Sequence, residues 1–226
     1  MKNLKVVARL LDGRVNSNDG IFNFDSILAY AWMLSHHPDI LQNRDLRMDN
    51  LIEPDLPLAK DEQGRWKSSV GFYKQYAEII EYWHKKINDY DAHIYVDFGK
   101  RRGKIDSQKG EFKAHRIPQI IRIVGDIEFY CVGDSNEIKK YLKFVTNIGK
   151  KGSQGYGYVK EWVVEEIEED YTKVGPYGIM RFTPFTGELP NDGKAYQIRK
   201  TRLKPPYHFH VDRVPCMIPN PIKESE

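Results

Sequence analysis

The sequence predicts an α+β fold whose core elements follow the order β-α-β-β-α-β, and three observations indicate this order. Two segments place apolar residues at the three-to-four-residue spacing of helices. Between them, two runs rich in β-branched and aromatic residues are separated by little more than Gly125 and Asp126, a short-range hairpin signal. Strand-like runs also open the chain and follow a glycine-rich loop. We further expect a long insertion after the first helix and a β-rich C-terminal extension.

The first two elements are a strand and a helix. The opening "LKVVARLLDG" alternates as a strand does, and Gly13 ends it. The segment "NFDSILAYAWMLSHH" is predicted to be a helix, with Asp25 or Ser26 capping its free amides. One face of this helix carries Leu28, Ala31, Trp32 and Ser35.

The polar segment 39–67, broken by Pro54 and Pro57, is predicted to begin the insertion. A further helix is expected within 71–88, where apolar residues recur at helical spacing. These residues are Phe72, Tyr76, Ile79, Ile80, Trp83 and Ile87. The run "HIYVDF" is then predicted to be a strand that leads into the basic segment "GKRRGKIDSQKGEFKAHR".

The remaining core elements follow Pro118. The runs "QIIRIVG" and "IEFYCVG" are the expected hairpin, and "DSNEIKKYLKFVTNIG" is a helix that Asp134 caps, with Glu137 three residues later. We expect Gly149 at the end of this helix, followed by the strand "YVKEWVVEEI". The apolar stripe of the helix is Ile138, Tyr141, Leu142 and Val145.

This element order is that of a ferredoxin-like (RRM-like) core. We expect one domain over residues 1–170, interrupted by an insertion over about 39–112. Residues 171–226 are expected to pack on the same domain as an extension with the short strands "IMRFT", "YQIRKTRL" and "YHFHVDRV".

Composition excludes several classes of protein. Among the 226 residues, no apolar run approaches the roughly 20 residues needed to cross a bilayer, and the start lacks the features of a signal peptide. We therefore expect a cytoplasmic protein without membrane contact. The two cysteines, Cys131 and Cys216, are too few for a disulfide scaffold and have no CxxC partner.

The formal net charge of +3 is small, but the basic residues are segregated along the chain. Residues 98–122 hold eight Lys or Arg against two acids, and residues 199–213 hold five against one. Acidic residues gather instead at 161–170. This distribution predicts a basic face opposite an acidic edge.

The loop "IGKKGSQGYG" is the strongest functional signal. Its glycines are consistent with a simple corner between helix and strand. Alternatively, small side chains that let the backbone approach phosphates, two lysines and stackable tyrosines suit a bent single strand of RNA. Neither GxxxxGK[ST] nor a GxGxxG after a strand is present, which argues against a nucleotide-hydrolysing enzyme. The candidate RNA-binding residues here are Lys150, Lys151, Gly152, Ser153, Gln154, Gly155 and Tyr156.

With this loop between its second core helix and last core strand, the sequence resembles the RAMP superfamily of CRISPR proteins. Several stretches are similar to the subunit of type IV CRISPR effector complexes that holds the 5′ handle of the guide RNA. They are "LDGRVNSNDGIFNFDSILAYAWML", "LPLAKDEQGRWKSSVGFY", "GEFKAH", "CVGDSNEIKKYLKFVTNIGKKGSQGYGYVKEW" and "PPYHFHVDRVPCMIP". The resemblance implies partners in a ribonucleoprotein of antiviral defence: guide RNA, a backbone RAMP subunit, a large subunit and, indirectly, target DNA.

The resemblance also implies roles for three other segments. The stretch "GRWKSS", with Arg65, Trp66, Lys67 and Ser68, is expected in a projecting thumb that meets the guide RNA or a neighbouring subunit. Two basic segments are expected to line the same groove, and they supply Lys100, Arg101, Arg102, Lys104, Lys113, His115 and Arg116.

Some RAMP relatives cleave RNA without metal, using a histidine or tyrosine as a general base and a lysine to stabilise the developing charge. The histidines here, among them His36, His37, His115, His208 and His210, have no recognisable catalytic partner. His208 and His210 have no third metal ligand in view. The resemblance to type IV subunits implies that guide processing belongs to a different subunit, so we expect a non-catalytic RNA-binding subunit without a cofactor or metal. The alternatives are a metal-independent endoribonuclease acting on repeat RNA and a purely structural interaction domain.

Overall fold

The computed structural model describes residues 1–39, 52–86, 88, 94, 108–109, 113–191, 194 and 196–223. The main elements are β1 (Lys2–Leu10), β2 (Arg14–Asn16), α1 (Phe24–His36), β3 (Gln75–Lys85), β4 (His115–Val124), β5 (Ile127–Gly133), α2 (Ser135–Leu142) and β6 (Val159–Glu166). The C-terminal part contains β7 (Val174–Gly175), β8 (Gly178–Ile179), β9 (Thr183–Pro184), β10 (Gln197–Thr201) and β11 (Val214–Ile218).

The central sheet has the strand order β5-β1-β6, and both pairs are antiparallel. In the middle of β1, the alternate residues Leu4, Val6 and Ala8 are fully buried, because successive side chains of a strand point to opposite faces. They belong to one hydrophobic cluster with Leu28 of α1 and Leu142 of α2. The structure confirms the first and last predicted strands of the core, β1 and β6, and the two core helices, α1 and α2. The ferredoxin-like assignment and the division into domains stay predictions.

The helix expected within 71–88 is wrong, because most of this segment is the eleven-residue strand β3. It pairs antiparallel with β4 from Ala77 opposite Ile123 to Lys85 opposite His115. Apolar residues lie on both faces of β3, so the sequence shows a helix-like spacing instead of the alternation of a half-buried strand. Ile, Tyr and Trp favour strands, and pairing with a distant segment decided the structure.

The expected hairpin is also wrong, although both of its strands exist. In the described residues, β4 pairs with β2 and β3, whereas β5 pairs with β1. The second edge of β5 instead bridges to the insertion, at Leu58–Gly133, Ser68–Cys131 and Phe72–Glu128. A turn signal fixes a change of chain direction but does not fix the partner of each strand.

Several element boundaries differ from the predicted ones. The N-cap of α1 is Asn23, whose side chain makes no capping hydrogen bond, and Asp25 lies in the first turn. Asp134 caps α2 as predicted by accepting from the amides of Asn136 and Glu137, but α2 ends at Leu142 rather than at Gly149.

The C-terminal strands also differ from prediction in part. The segment "IMRFT" is divided between β8 and β9, "YQIRKTRL" contains β10, and the strand expected in "YHFHVDRV" begins only at its last residue, as β11. The predicted strand "HIYVDF" lies, except for Ile94, outside the described residues.

The C-terminal strands β10, β11 and β9 form a second sheet that packs on the insertion and on β5. A second hydrophobic cluster joins Met180, Phe182, Cys216 and Ile218 to Val70, Phe72 and Tyr130. A buried polar contact also fastens the extension, since the Tyr207 hydroxyl donates to Asp25 Oδ2 at 2.8 Å. No helix in the described parts of the chain is long and apolar enough to cross a membrane.

Burial makes the unfolding free energy depend on the protonation of Asp25. Burial raises the pKa of Asp25 to about 6, although the hydrogen bond from Tyr207 opposes this shift. The folded chain therefore binds this proton more tightly than the unfolded chain. The stabilisation is complete below the unfolded pKa near 4 and is lost as the pH rises through 6, with an amplitude of about 3 kcal/mol.

We expect Asp25→Asn to remove this component of the pH dependence while keeping an oxygen that accepts from Tyr207. Urea unfolding of both proteins at pH 4, 5, 6 and 7.5 measures the difference. The exposed substitution Glu166→Gln serves as the control for general charge effects. Parallel pH profiles for the wild type and Asp25→Asn would contradict the expectation.

Candidate nucleic-acid interface

The glycine-rich loop between α2 and β6 is fastened to β2 by backbone hydrogen bonds. The amide of Gly157 donates to the carbonyl of Arg14 at 2.7 Å, and that of Lys150 donates to Asn16 at 2.8 Å. The amide of Ile148 closes the loop by donating to the Gly157 carbonyl at 2.9 Å. The loop is therefore held at both ends, and a short 3₁₀ turn at Gly152–Gln154 forms its tip.

Two glycines allow close backbone approaches, one within the loop and one between the loop and β2. Gly157 has a φ of +66°, and a Cβ there would lie 1.8 Å from the Ile148 carbonyl oxygen. Gly149 has a φ of +87°, and a Cβ there would lie 2.7 Å from the Asn16 carbonyl oxygen. Gly155, at the exposed tip, has a φ of +88°, and a Cβ there would have no other atom within 4 Å. A simple corner between helix and strand therefore explains Gly149 and Gly157. It does not explain Gly155, which lies at the solvent-exposed tip.

The loop lies against one face of a ribbon, the name used below for β3 and β4. Lys151 Nζ lies 5.4 Å from the centroid of the Trp83 ring, and the Tyr156 hydroxyl donates to Glu81. Because side chains alternate along a strand, Glu81 and Trp83 lie on the same face, called here the loop face. The lysine lies over the ring, but Trp83 is still 40% exposed, so part of the ring remains accessible to solvent.

The predicted residues His115 and Arg116 lie on opposite faces of the ribbon. His115 is opposite Lys85, which places it on the loop face. Arg116 is opposite His84, and its guanidinium lies 4.0 Å from the Tyr82 ring centroid on the other face. Lys113 is exposed just before β4. Lys100, Arg101, Arg102 and Lys104 lie outside the described residues.

The segment Gly64–Ser69 does not project from the domain, contrary to expectation. Trp66 is only 6% exposed, and Ser68 is buried in a bridge to Cys131 of β5. Lys67 forms a 2.9 Å ion pair with Asp170. Its residues are part of the packing between the central sheet and the C-terminal extension, and their contact with RNA stays a prediction.

Asp61 organises this segment. Its carboxylate forms ion pairs with Arg65 at 2.9 Å and with Arg181 at 2.8 Å. Burial raises the pKa of Asp61, but hydrogen bonds from Arg65 and the charge of Arg181 outweigh this effect and lower the pKa to about 2. The carboxylate therefore stays ionised, and it ties Arg65 to the C-terminal extension.

Glu81, Tyr82 and Trp83 were not predicted as site residues, because the apolar spacing around them indicates a helix. The available signal was the strand propensity of the run from Ile79 to Trp83. Among the described residues, no group of three or more His, Cys, Asp or Glu is arranged to hold a metal. The histidines at the end of α1 pack locally, as His36 stacks on Trp32 with centroids 4.5 Å apart.

The family model described as CRISPR type IV associated protein Csf3 matches residues 2–219 of the chain. No curated protein matches the chain. The match therefore spans the central sheet, the ribbon, the glycine-rich loop and the C-terminal sheet.

We expect Gly157→Ala to destabilise the protein by about 3 kcal/mol or more, because the substitution combines a left-handed φ with a backbone clash. Gly155→Ala is the matched control, since it has the same strain without the clash and is expected to cost about 1–2 kcal/mol. Urea unfolding followed by circular dichroism measures both values. Equal unfolding midpoints for the two variants would show that the loop does not need the close approach at Gly157.

Proposed function

Because the chain belongs to the CRISPR type IV associated Csf3 family, we propose that it is a non-catalytic RNA-binding subunit of a CRISPR ribonucleoprotein effector complex. It binds the 5′ handle of the guide RNA and caps the backbone filament, next to a backbone RAMP subunit and a large subunit. The RAMP and ferredoxin-like assignments are part of this proposal. The observation that carries it is the position of the Lys151 ammonium over the partly exposed Trp83 ring.

The loop tip supplies the features that a phosphate backbone needs. Lys150 and Lys151 are exposed, as are Ser153, Gln154 and Gly155. The missing side chain at Gly155 leaves its backbone open to a close approach. Phosphates of a bent strand are attracted to the two lysines, and each neutralised phosphate releases counterions.

The loop face of the ribbon supplies a surface for bases. An exposed indole ring stacks on any base, and such stacking contributes about 1–3 kcal/mol per base. Lys151 Nζ lies over the Trp83 ring, and the ring is still 40% exposed. A base that stacks on the exposed part of the ring therefore lies close to the lysine that binds a phosphate of the same or a neighbouring nucleotide. Single-stranded RNA with unstacked bases is the ligand that uses both groups.

An endoribonuclease remains the second candidate because of the position of His115. This side chain lies on the loop face, where Lys151 also lies. An imidazole and a lysine near the same RNA backbone are the groups that metal-independent cleavage requires. Whether bound RNA is also cleaved depends on how close the imidazole and the lysine lie to one of its 2′-hydroxyl groups.

We expect purified protein to bind end-labelled cognate repeat RNA more tightly than an unrelated RNA of equal length. Replacing Lys150 and Lys151 by alanine is expected to weaken binding and to lower the slope of log K against log salt by roughly one unit per lost phosphate contact. Trp83→Ala is expected to cost about 1–3 kcal/mol of binding free energy.

Two matched variants serve as controls for this titration. Lys139→Ala removes an exposed cation from α2, and Tyr76→Ala removes an exposed aromatic ring from the other end of β3. Each reaction is also run on a denaturing gel. Intact RNA supports the proposed function, whereas shortening of the repeat RNA that His115→Ala abolishes supports the endoribonuclease. If the wild type binds no RNA, both the proposed RNA-binding function and the endoribonuclease are ruled out.

A further inference from the structure

Glu81 is an unexpected residue on a surface proposed to bind RNA. Among the described residues of the loop face of the ribbon, it is the one acidic side chain. It is exposed, and it lies two residues before Trp83 on β3. A carboxylate repels the phosphates that Lys150 and Lys151 attract, so it lowers affinity unless it makes a compensating contact.

Glu81 is held in position by a hydrogen bond from a neutral group, since the Tyr156 hydroxyl donates to its Oε2. The Arg14 guanidinium lies 5.7 Å from the Tyr156 ring centroid and interacts electrostatically with Glu81. The hydrogen bond to Glu81 raises the pKa of Tyr156, which keeps the phenol protonated and donating. A carboxylate offers about four acceptor sites, so Glu81 can still accept further hydrogen bonds from a ligand.

We propose that Glu81 determines base specificity by accepting hydrogen bonds from the Watson–Crick edge of an unpaired guanine that stacks on Trp83. This inference rests on the proposed function, because it assigns the base that the RNA places there. Side chains two residues apart on one face of a strand are separated by roughly 7 Å. A purine stacked on Trp83 therefore reaches Glu81 with its edge.

The chemistry of the carboxylate favours guanine over the other bases. An ionised carboxylate only accepts hydrogen bonds. Guanine presents two adjacent donors, N1–H and the N2 amino group, which match two carboxylate oxygens. Adenine and cytosine present one amino group next to an acceptor. Uracil presents one N–H between two carbonyls, which repel the carboxylate.

The test uses 12-nucleotide uridine RNAs that carry one central guanine, inosine or adenine. Inosine lacks the N2 amino group but keeps N1–H, so it separates the two proposed hydrogen bonds. Fluorescence anisotropy at constant salt measures binding to the wild type, Glu81→Gln and Tyr156→Phe. We expect the wild type to prefer guanine over adenine by about fivefold or more, with inosine between them.

Glu81→Gln is expected to reduce the guanine-to-adenine ratio to below twofold, because an amide offers one acceptor and one donor. Binding of an all-uridine RNA is expected to be equal or tighter, since a negative charge is removed. Tyr156→Phe removes the hydrogen bond but keeps the carboxylate, and it is expected to retain a preference for guanine. A purely structural role for Glu81 predicts the same loss in both variants.

The outcomes separate this inference from the proposed function. RNA binding by the wild type without discrimination between guanine and adenine would overturn the inference and leave the proposed function standing. The same holds if Glu81→Gln keeps the wild-type ratio. Failure of the wild type to bind any of these short RNAs would overturn the inference, whereas the proposed function is decided separately by the titration with cognate repeat RNA.

Discussion

The backbone contact between the glycine-rich loop and β2 is the constraint on which the candidate interface depends. Gly157 and Lys150 donate to the carbonyls of Arg14 and Asn16, and a Cβ at Gly149 would lie only 2.7 Å from the Asn16 carbonyl oxygen. The chain continues from the loop into β6 of the central sheet, whereas β2 pairs with β4 of the ribbon. This contact therefore joins the ribbon to the core, together with Val15 and Val124, which are buried in the main hydrophobic cluster.

The loop face combines groups that the fold holds with groups that it leaves exposed. Tyr156 and Glu81 are joined by a hydrogen bond, while the Lys151 ammonium lies over the partly exposed Trp83 ring. A rigid backbone with exposed aromatic and charged groups loses little conformational entropy when a flexible strand binds. Specificity then depends on the few polar groups whose positions are fixed before binding.

The insertion contributes to the fold in two different ways. Its first part contains Gly64–Ser69, which closes the free edge of β5 and connects through Asp61 to Arg181 of the C-terminal extension. Its later part contains β3, which remains exposed along nearly its whole length. Buried ion pairs are favourable only when every partner is present, so the first part and the extension depend on each other.

Sequence patterns alone were enough to predict β1, β6, α1, and α2 with its Asp134 cap. They also located the glycine-rich loop and supported the resemblance to type IV CRISPR proteins. Three features depend on how the chain folds: β3 is a strand, β4 and β5 belong to different sheets, and Glu81 contacts Tyr156. Glu81 and Tyr156 are 75 positions apart in the sequence. For β3, which is exposed on both faces, the spacing of the apolar residues fits a helix as well as a strand. Pairing across such distances depends on the available partner strands, which no local pattern encodes.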